Sequence, residues 1–224
     1  MRTVKLRNPP ATPAILSRDY YHATPDGEAG ESILNDGLII PRPGKAGKGF
    51  MSPRKDFVYM APTLYSAAIY ALGGVFMGED YPERYWKGSR YGYIFLVHKG
   101  DLIDVEPDED DVGEMATADM NKRGLDWLKS MAEWDAKPTL AKWAKREKLR
   151  RAKDGEMAYQ SMIGKQLLKR LYDDQKQFLM EMIGANIANR GPVGFDAAWR
   201  LDKSRAKEIA EDGSNVLEIA ERIK

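Results

Sequence analysis

The side chains best suited to chemistry lie in three segments of the chain's first half. These are YYHAT, which contains His22 and Thr24, then FVYMAPTLYSAAIYA, which contains Tyr59 and Tyr70, and then YGYIFLVHKGDLIDVEPDED from residue 91. Imidazole and hydroxyl groups can donate or accept hydrogen bonds, and tyrosine rings can stack on a flat ligand. No single residue here is specific, so the order and spacing of the three segments carry the functional signal.

Composition limits the classes of protein to which the chain can belong. Its 224 residues suit one large domain, or one domain with an insertion, with a substantial core. A hydrophobic fraction of 43% and a charged fraction of 31% are typical of globular proteins, and the net charge of +1 favours no class of charged partner. Because the sequence has no cysteine and two histidines, disulfides and thiolate metal sites are excluded, and we expect no metal centre.

The N-terminal residues MRTVKLRNPPATPAIL contain no apolar run of signal-peptide length. No stretch approaches the ~20 apolar residues that a membrane-spanning helix needs. We therefore expect a cytoplasmic protein with no membrane partner.

Local patterns predict alternating strands and helices up to about residue 115. The helix ahead of Gly37 ends at a residue type that favours helix termination, and the run YGYIFLV is the clearest strand signal. The predicted strands are Tyr20–Thr24, Leu38–Ile40, Phe57–Ala61 and Tyr91–Val97, and the predicted helices are Glu28–Asn35 and Pro62–Leu72.

The texture changes in the second half of the chain. From about residue 116 to 182, Leu, Met, Trp and Lys recur at helical spacing, which predicts a helical insertion. Residues 183–201 return to strand texture, and Asn215 with Glu218 has the spacing of a capping box for a last helix, with Ile223 on its apolar face. We expect an α+β fold, with residues 1–19 as an N-terminal arm and residues 20–224 as one domain.

The three segments together resemble the ADP-ribosyltransferase superfamily of the diphtheria-toxin and poly(ADP-ribose) polymerase type. That family carries His-Gly-Ser/Thr on its first strand, followed by a helix and Gly-Leu, and here the matching residues are His22-Ala23-Thr24 and Gly37-Leu38. The family's two tyrosines match Tyr59 and Tyr70, with the eleven-residue separation of the polymerases. The resemblance covers about residues 20–110 and implies a split β-sheet with short flanking helices.

The resemblance implies an enzyme that uses NAD⁺ as co-substrate and breaks its nicotinamide–ribose bond, which develops positive charge on the ribose. His22 would hydrogen-bond a ribose hydroxyl, Thr24 would hold the ribose or the carboxamide, and the backbone of Ala23 would pair with the nicotinamide amide. Tyr59 and Tyr70 would stack on the nicotinamide ring. Ala23 replaces the family's glycine, which would strain the chain only if its φ were positive.

The family's catalytic glutamate lies on a late strand, where it stabilises the developing positive charge. The resemblance places that strand near residues 183–190, and this window, IGANIANR, contains no acid. Glu181, just before the window, is the predicted catalytic acid. Asn186, within it, could hydrogen-bond the ribose without supplying a charge.

The leading functional hypothesis is a mono-ADP-ribosyltransferase that modifies a protein or a nucleic acid, with the insertion helping to choose the target. An RNA 2′-phosphotransferase, a relative that shares the His-x-Thr and Gly-Leu features, is the second hypothesis. The third is a catalytically degenerate module that binds NAD⁺ or another protein, since the late strand lacks its acid. His22 could also be an ordinary strand-end histidine bound to backbone, and the two tyrosines could be core aromatics.

Three charged stretches carry further hypotheses. Arg42, Lys45 and Lys48 could meet the NAD⁺ pyrophosphate or belong to a loop that has no ligand. The basic run at residues 142–153 could grip phosphates, although such helix faces are usually solvated. The acidic run PDEDD (107–111) could hold a hard cation, but its spacing matches no EF-hand loop, so we expect a solvated acidic turn.

Overall fold

The computed structural model describes residues 16–41, 54, 56–73, 89–117, 164–209 and 213–224. Within these ranges the chain mixes helices with antiparallel sheets, which confirms the α+β class. The strands are β1 Tyr20–Thr24, β2 Leu38–Ile39, β3 Phe57–Met60, β4 Tyr91–Val97, β5 Val105–Pro107, β6 Ile187–Arg190, β7 Val193–Gly194, β8 Ala197–Asp202 and β9 Glu221–Arg222. The α-helices are α1 Gly27–Asp36, α2 Leu64–Ala71, α3 Glu109–Thr117, α4 Asp173–Phe178 and α5 Val216–Ile219.

Two larger sheets meet at β1 and β3. The first has the strand order β1-β4-β8-β9 and the second the order β3-β6-β5, while β2 and β7 form a separate pair. An antiparallel bridge between Tyr21 and Ala61 joins the two larger sheets, with backbone N–H···O distances of 2.9 and 2.8 Å. The first sheet therefore continues into the second across this bridge, which we call the seam.

Local signals placed the first elements correctly. Asp26 caps α1 by accepting from the N–H groups of Glu28 and Ala29, and Gly37 ends the helix with a φ of 68°. The predicted strands at β1, β3 and β4 are confirmed, as is the helix at α2, which Thr63 caps. Each of these elements carries its own start or stop residue, so the sequence alone was sufficient.

Two apolar clusters cover opposite faces of the first sheet. One lies between β1, β4 and the second sheet and includes Tyr20, Phe95, Met60 and Ile187. The other lies beneath α2 and α5 and is formed largely by small residues of α2 with Ile94 and Leu201 of the sheet. Because both faces of β4 are buried, its sequence reads as a continuous apolar run rather than an alternating one.

Glycine permits α2 to approach the first sheet closely. A Cβ atom built on Gly92 would lie 1.9 Å from the backbone oxygen of Ala71, so no larger residue fits without moving the helix. This contact sets the position of Tyr70, which precedes Ala71 on α2.

The described part of the predicted insertion is helical. Residues 164–168 form helix, and α4 continues into a π-helical turn, Leu179–Ile183, which ends at Gly184 with a φ of 72°. The rest of the 116–182 prediction lies outside the described residues. Within the predicted arm, residues 16–19 are described, and Leu16 is buried in the core between the sheets.

Two sequence-based expectations are wrong. The acidic run is no solvated turn: it ends β5 and starts α3, with Asp108 and Glu109 buried. The last helix has no side-chain cap hydrogen bond at Asn215, whose amide donates instead to the Glu208 backbone oxygen at 2.6 Å. That helix stops at Ile219, and the chain then turns into β9, so Ile223 does not lie on it.

Candidate functional site

His22 points from β1 towards the second sheet at the seam. Its Nδ1 lies 2.9 Å from the backbone oxygen of Tyr59 on β3, and its ring stacks near Phe95, with centroids 6.2 Å apart. Burial lowers the pKa of His22, against a smaller upward effect from the Tyr59 carbonyl. A carbonyl can only accept, so Nδ1 carries the proton and Nε2 of the neutral ring is an acceptor.

The two residues after His22 are placed without strain. Ala23 pairs with Ile94 inside the β1–β4 ladder, so its backbone is extended and the family's glycine is not required there. Thr24 ends the strand, and its Oγ1 accepts from the backbone N–H of Asp26 at 3.2 Å. The Thr24 hydroxyl thus helps to form the turn into α1, and its own proton is not used in that bond.

Tyr70 presents an aromatic ring at the surface with its hydroxyl held in place. The residue is 54% exposed, and its hydroxyl oxygen accepts from Nδ2 of Asn186 at 3.3 Å. Burial of the hydroxyl, followed by the charges of Asp111, Asp108 and Asp110, raises its pKa. The side chain is therefore a neutral phenol whose ring is open to a stacking partner.

Asn186 lies just before β6 and is held at three points. Its backbone N–H donates to Asp111 Oδ2 at 2.7 Å, its Nδ2 donates to Asp111 Oδ1 at 3.1 Å, and its backbone oxygen accepts from the N–H of Asp108 at 2.8 Å. The β5–β6 register explains this arrangement, because Pro107 lies opposite Ile187 and the residues beyond them meet.

A balanced charge cluster surrounds the hydroxyl of Tyr59. That hydroxyl donates to Glu109 at 2.7 Å and accepts from the backbone N–H of Arg54 at 3.0 Å. The Arg54 guanidinium binds Glu106 and lies 2.9 Å from Glu109, and the Lys165 ammonium lies 3.7 Å from Glu109. Two cations thus face two carboxylates around one hydroxyl. We call this set the Glu109 cluster; its members are Arg54, Tyr59, Glu106, Glu109 and Lys165.

Asp108 is a second buried carboxylate, 7% exposed. Its Oδ1 accepts from the backbone N–H of Asp110 at 2.9 Å, as an N-cap does at the start of a helix such as α3. Burial, with the charges of Asp110 and Asp111, raises its pKa well above the usual value of an aspartate.

Glu181, the predicted catalytic acid, contacts the segment before β1. Its carboxylate accepts from the backbone N–H of Ser17 at 3.1 Å and from the Ser17 hydroxyl, and its backbone oxygen accepts from Arg18 at 3.1 Å. Among the described residues, no hydrogen bond or ion pair joins it to His22 or Tyr59. Arg42, predicted to bind the pyrophosphate, lies outside the described residues, as do Lys45 and Lys48.

The structure therefore places His22 against the backbone of Tyr59 and Tyr70 against Asn186, and it brings carboxylates of the acidic run, which the sequence had not assigned to this site, beside Tyr59 and Asn186. Asp111 and Glu109 follow a strand that pairs directly with β6, and this pairing is invisible in the local sequence. The arrangement offers an uncharged hydrogen-bond acceptor, an exposed aromatic ring and a nearby negative charge.

No group of three or more metal-ligating side chains with suitable geometry occurs within the described ranges. In the same part of the chain, no helix has the length and apolar character needed to cross a membrane. Comparison of the chain with protein-family models, curated proteins and solved structures returned no match.

Proposed function

We propose that the chain is an NAD⁺-dependent mono-ADP-ribosyltransferase with its reaction centre at the seam between the two larger sheets. The C–N bond between nicotinamide and ribose would break, nicotinamide would leave as the neutral base, and the acceptor nucleophile would bond to the ribose carbon and release a proton. The acceptor is a protein or a nucleic acid, and the helical insertion would help to select it. The proposal assigns the two sheets joined at the seam to the split sheet that the resemblance implies.

The observation that carries the proposal is the contact between Asn186 and Tyr70. The two residues are 116 positions apart, and the resemblance assigned them to the late strand and to the second tyrosine. Their contact at 3.3 Å beside the seam, where His22 bonds to β3, supports a shared binding site.

His22 supplies the feature that a ribose needs. With Nδ1 donating to Tyr59, the Nε2 atom can accept a hydrogen bond from a ribose hydroxyl. The lowered pKa keeps the ring neutral at physiological pH, so it adds no positive charge beside a ribose that is itself becoming positive.

Tyr70 and Tyr59 have different parts in the proposal. The exposed ring of Tyr70 would stack on nicotinamide. The Tyr59 hydroxyl is already bound by Glu109 and Arg54, so Tyr59 would form a rigid wall of the site.

The experiment follows transfer from NAD⁺ labelled in its adenylate half into macromolecules of a cell lysate, together with nicotinamide release. His22→Ala should abolish both, and the matched control is His98→Ala. His98 is the chain's other histidine, and its exposed side chain accepts from the N–H of Gly100. Equal activity of the two variants would contradict the placement of the site. Digestion with nuclease or protease identifies the class of acceptor.

A non-catalytic NAD⁺-binding module is the second candidate, favoured by the absence of a carboxylate on β6. It predicts NAD⁺ affinity that His22→Ala weakens, without nicotinamide release from the wild-type protein. Calorimetric titration with NAD⁺ beside the release assay separates the two functions.

A further inference from the structure

The side-chain amide of Asn186 has its orientation imposed by its neighbours. Both oxygens of Asp111 accept from Asn186, one from the backbone N–H and one from Nδ2. An ionised carboxylate can only accept, so Nδ2 rather than Oδ1 must face Asp111. The second proton of Nδ2 has its own acceptor in the Tyr70 hydroxyl at 3.3 Å.

These contacts use both protons of Nδ2 and leave Oδ1 available to accept a hydrogen bond. No hydrogen bond among the described residues involves Asn186 Oδ1. With Nδ2 facing Asp111, Oδ1 points away from that carboxylate. The carboxylate also polarises the amide, because a donor bound to an anion pushes electron density towards its carbonyl oxygen.

We infer that Asp111 and Asn186 act as a composite acceptor, in which Asp111 is a positioning residue that orients and polarises the Asn186 carbonyl so that it binds a ribose hydroxyl. This inference rests on the proposed function and specifies how the site works without an acid on β6. A neutral amide oxygen backed by the half-buried carboxylate of Asp111 provides part of the negative potential that a carboxylate on the strand would supply.

Asp111 is half-buried, and its surroundings shift its pKa. Burial raises the pKa of Asp111, while its two hydrogen bonds from Asn186 act in the opposite direction. The groups that interact with it are the Tyr70 hydroxyl on α2 and the carboxylates of Asp108 and Glu114. Protonation of Asp111 removes one of the two carboxylate acceptors that orient Asn186. The ability of Asn186 Oδ1 to bind a ribose hydroxyl should therefore be lost as the pH falls through the pKa of Asp111, which is higher than that of an ordinary aspartate.

The first arm of the test uses the free protein and needs no activity. Asn186→Ala identifies the Asn186 side-chain amide signals in a ¹H–¹⁵N spectrum. We expect the wild-type signals to shift with pH as Asp111 titrates, and to lose that step in Asp111→Asn. The control Asp104→Asn removes an exposed carboxylate paired with Arg190 and should leave the step unchanged. Signals that titrate identically in Asp111→Asn would overturn the inference.

The second arm measures nicotinamide release. Asn186→Ala should lower kcat about 10²-fold, the usual effect of removing one preorganised hydrogen bond at a reacting centre. Asp111→Asn should lower kcat about ten-fold with little change in KM, and it should remove the acid limb of the pH–kcat profile. A rise in KM alone, or an acid limb that survives in Asp111→Asn, would overturn the inference.

The two arms separate this inference from the proposed function. If the wild-type protein releases no nicotinamide while the amide signals respond to Asp111 as expected, the orientation is correct and the ADP-ribosyltransferase proposal fails. If nicotinamide is released and Asp111→Asn changes neither kcat nor the amide signals, the proposed function holds and the composite acceptor is wrong.

Discussion

Removing the Glu109 carboxylate tests whether the acidic run is part of the core. Glu109 is 1% exposed and binds the Tyr59 hydroxyl at 2.7 Å, with Arg54 at 2.9 Å and Lys165 at 3.7 Å. Glu109→Ala would leave a hydroxyl donor and part of two positive charges without their partner. If the acidic run were a solvated turn, the same substitution would leave the free energy of unfolding almost unchanged.

The magnitude follows from these contacts. Breaking a buried ion pair from one side costs about 3–5 kcal/mol, since the remaining charge stays buried. Arg54 keeps Glu106, and the Lys165 side chain is 33% exposed and can reach water, so we expect the lower end, about 3 kcal/mol. That is roughly a 10²-fold fall in the folded-to-unfolded ratio. Glu109→Gln keeps an acceptor for Tyr59 and should cost about 1.5 kcal/mol.

Urea denaturation followed by circular dichroism measures the change in unfolding free energy, provided that the slope m is unchanged. Asp104→Ala is the control, because it removes a carboxylate from an exposed pair with Arg190 and should cost below about 1 kcal/mol. If Glu109→Ala and Asp104→Ala lower the unfolding free energy by the same amount, the Glu109 cluster does not stabilise the fold. A double-mutant cycle with Tyr59→Phe should give a coupling energy of about 0.5–3 kcal/mol for the hydroxyl–carboxylate pair.

Three further changes test other parts of the structure. Asp108→Asn keeps an N-cap acceptor but removes a buried carboxyl whose pKa is raised above 3.8. The unfolding free energy of the variant should therefore increase relative to that of the wild type as the pH rises above about 4. Identical pH profiles of the two proteins in denaturation would contradict this. Gly92→Ala should destabilise by about 1–3 kcal/mol, since its Cβ would meet the Ala71 oxygen, whereas Gly194→Ala, with no atom within 4 Å, should cost far less in the same assay. Tyr70→Phe keeps the ring and loses the acceptor for Nδ2, so the KM for NAD⁺ should rise less than in Tyr70→Ala, and equal KM values would exclude stacking.

The sequence predicted the elements whose signals are local. Strand β4 was indicated by its continuous apolar run and the end of helix α1 by Gly37, whereas the cap at Asp26 is seen only in the structure. The bond from His22 to β3 agrees with the alternative in which His22 is a strand histidine bound only to backbone, and it leaves Nε2 as the acceptor atom of the ring.

The error at the acidic run has a physical cause, since it concerns partners distant in sequence. Five consecutive residues rich in carboxylates suggest solvation, and nothing local shows that Arg54, more than fifty residues earlier, will bind Glu106 and Glu109. Glu181, which lies close in sequence to the late strand, stays a prediction as the catalytic acid. In the structure its carboxylate accepts from Ser17.

Strand β6 carries no carboxylate, but the strand beside it places carboxylates next to the residue that precedes β6. In an antiparallel pair, the residue that follows one strand lies next to the residue that precedes the other. Pro107 opposite Ile187 therefore places the acidic run beside Asn186, and the bond from the Asp108 N–H to the Asn186 oxygen continues the ladder by one step. Under the proposed function, the negative charge near the ribose would come from α3, which follows β5, although β6 itself carries none.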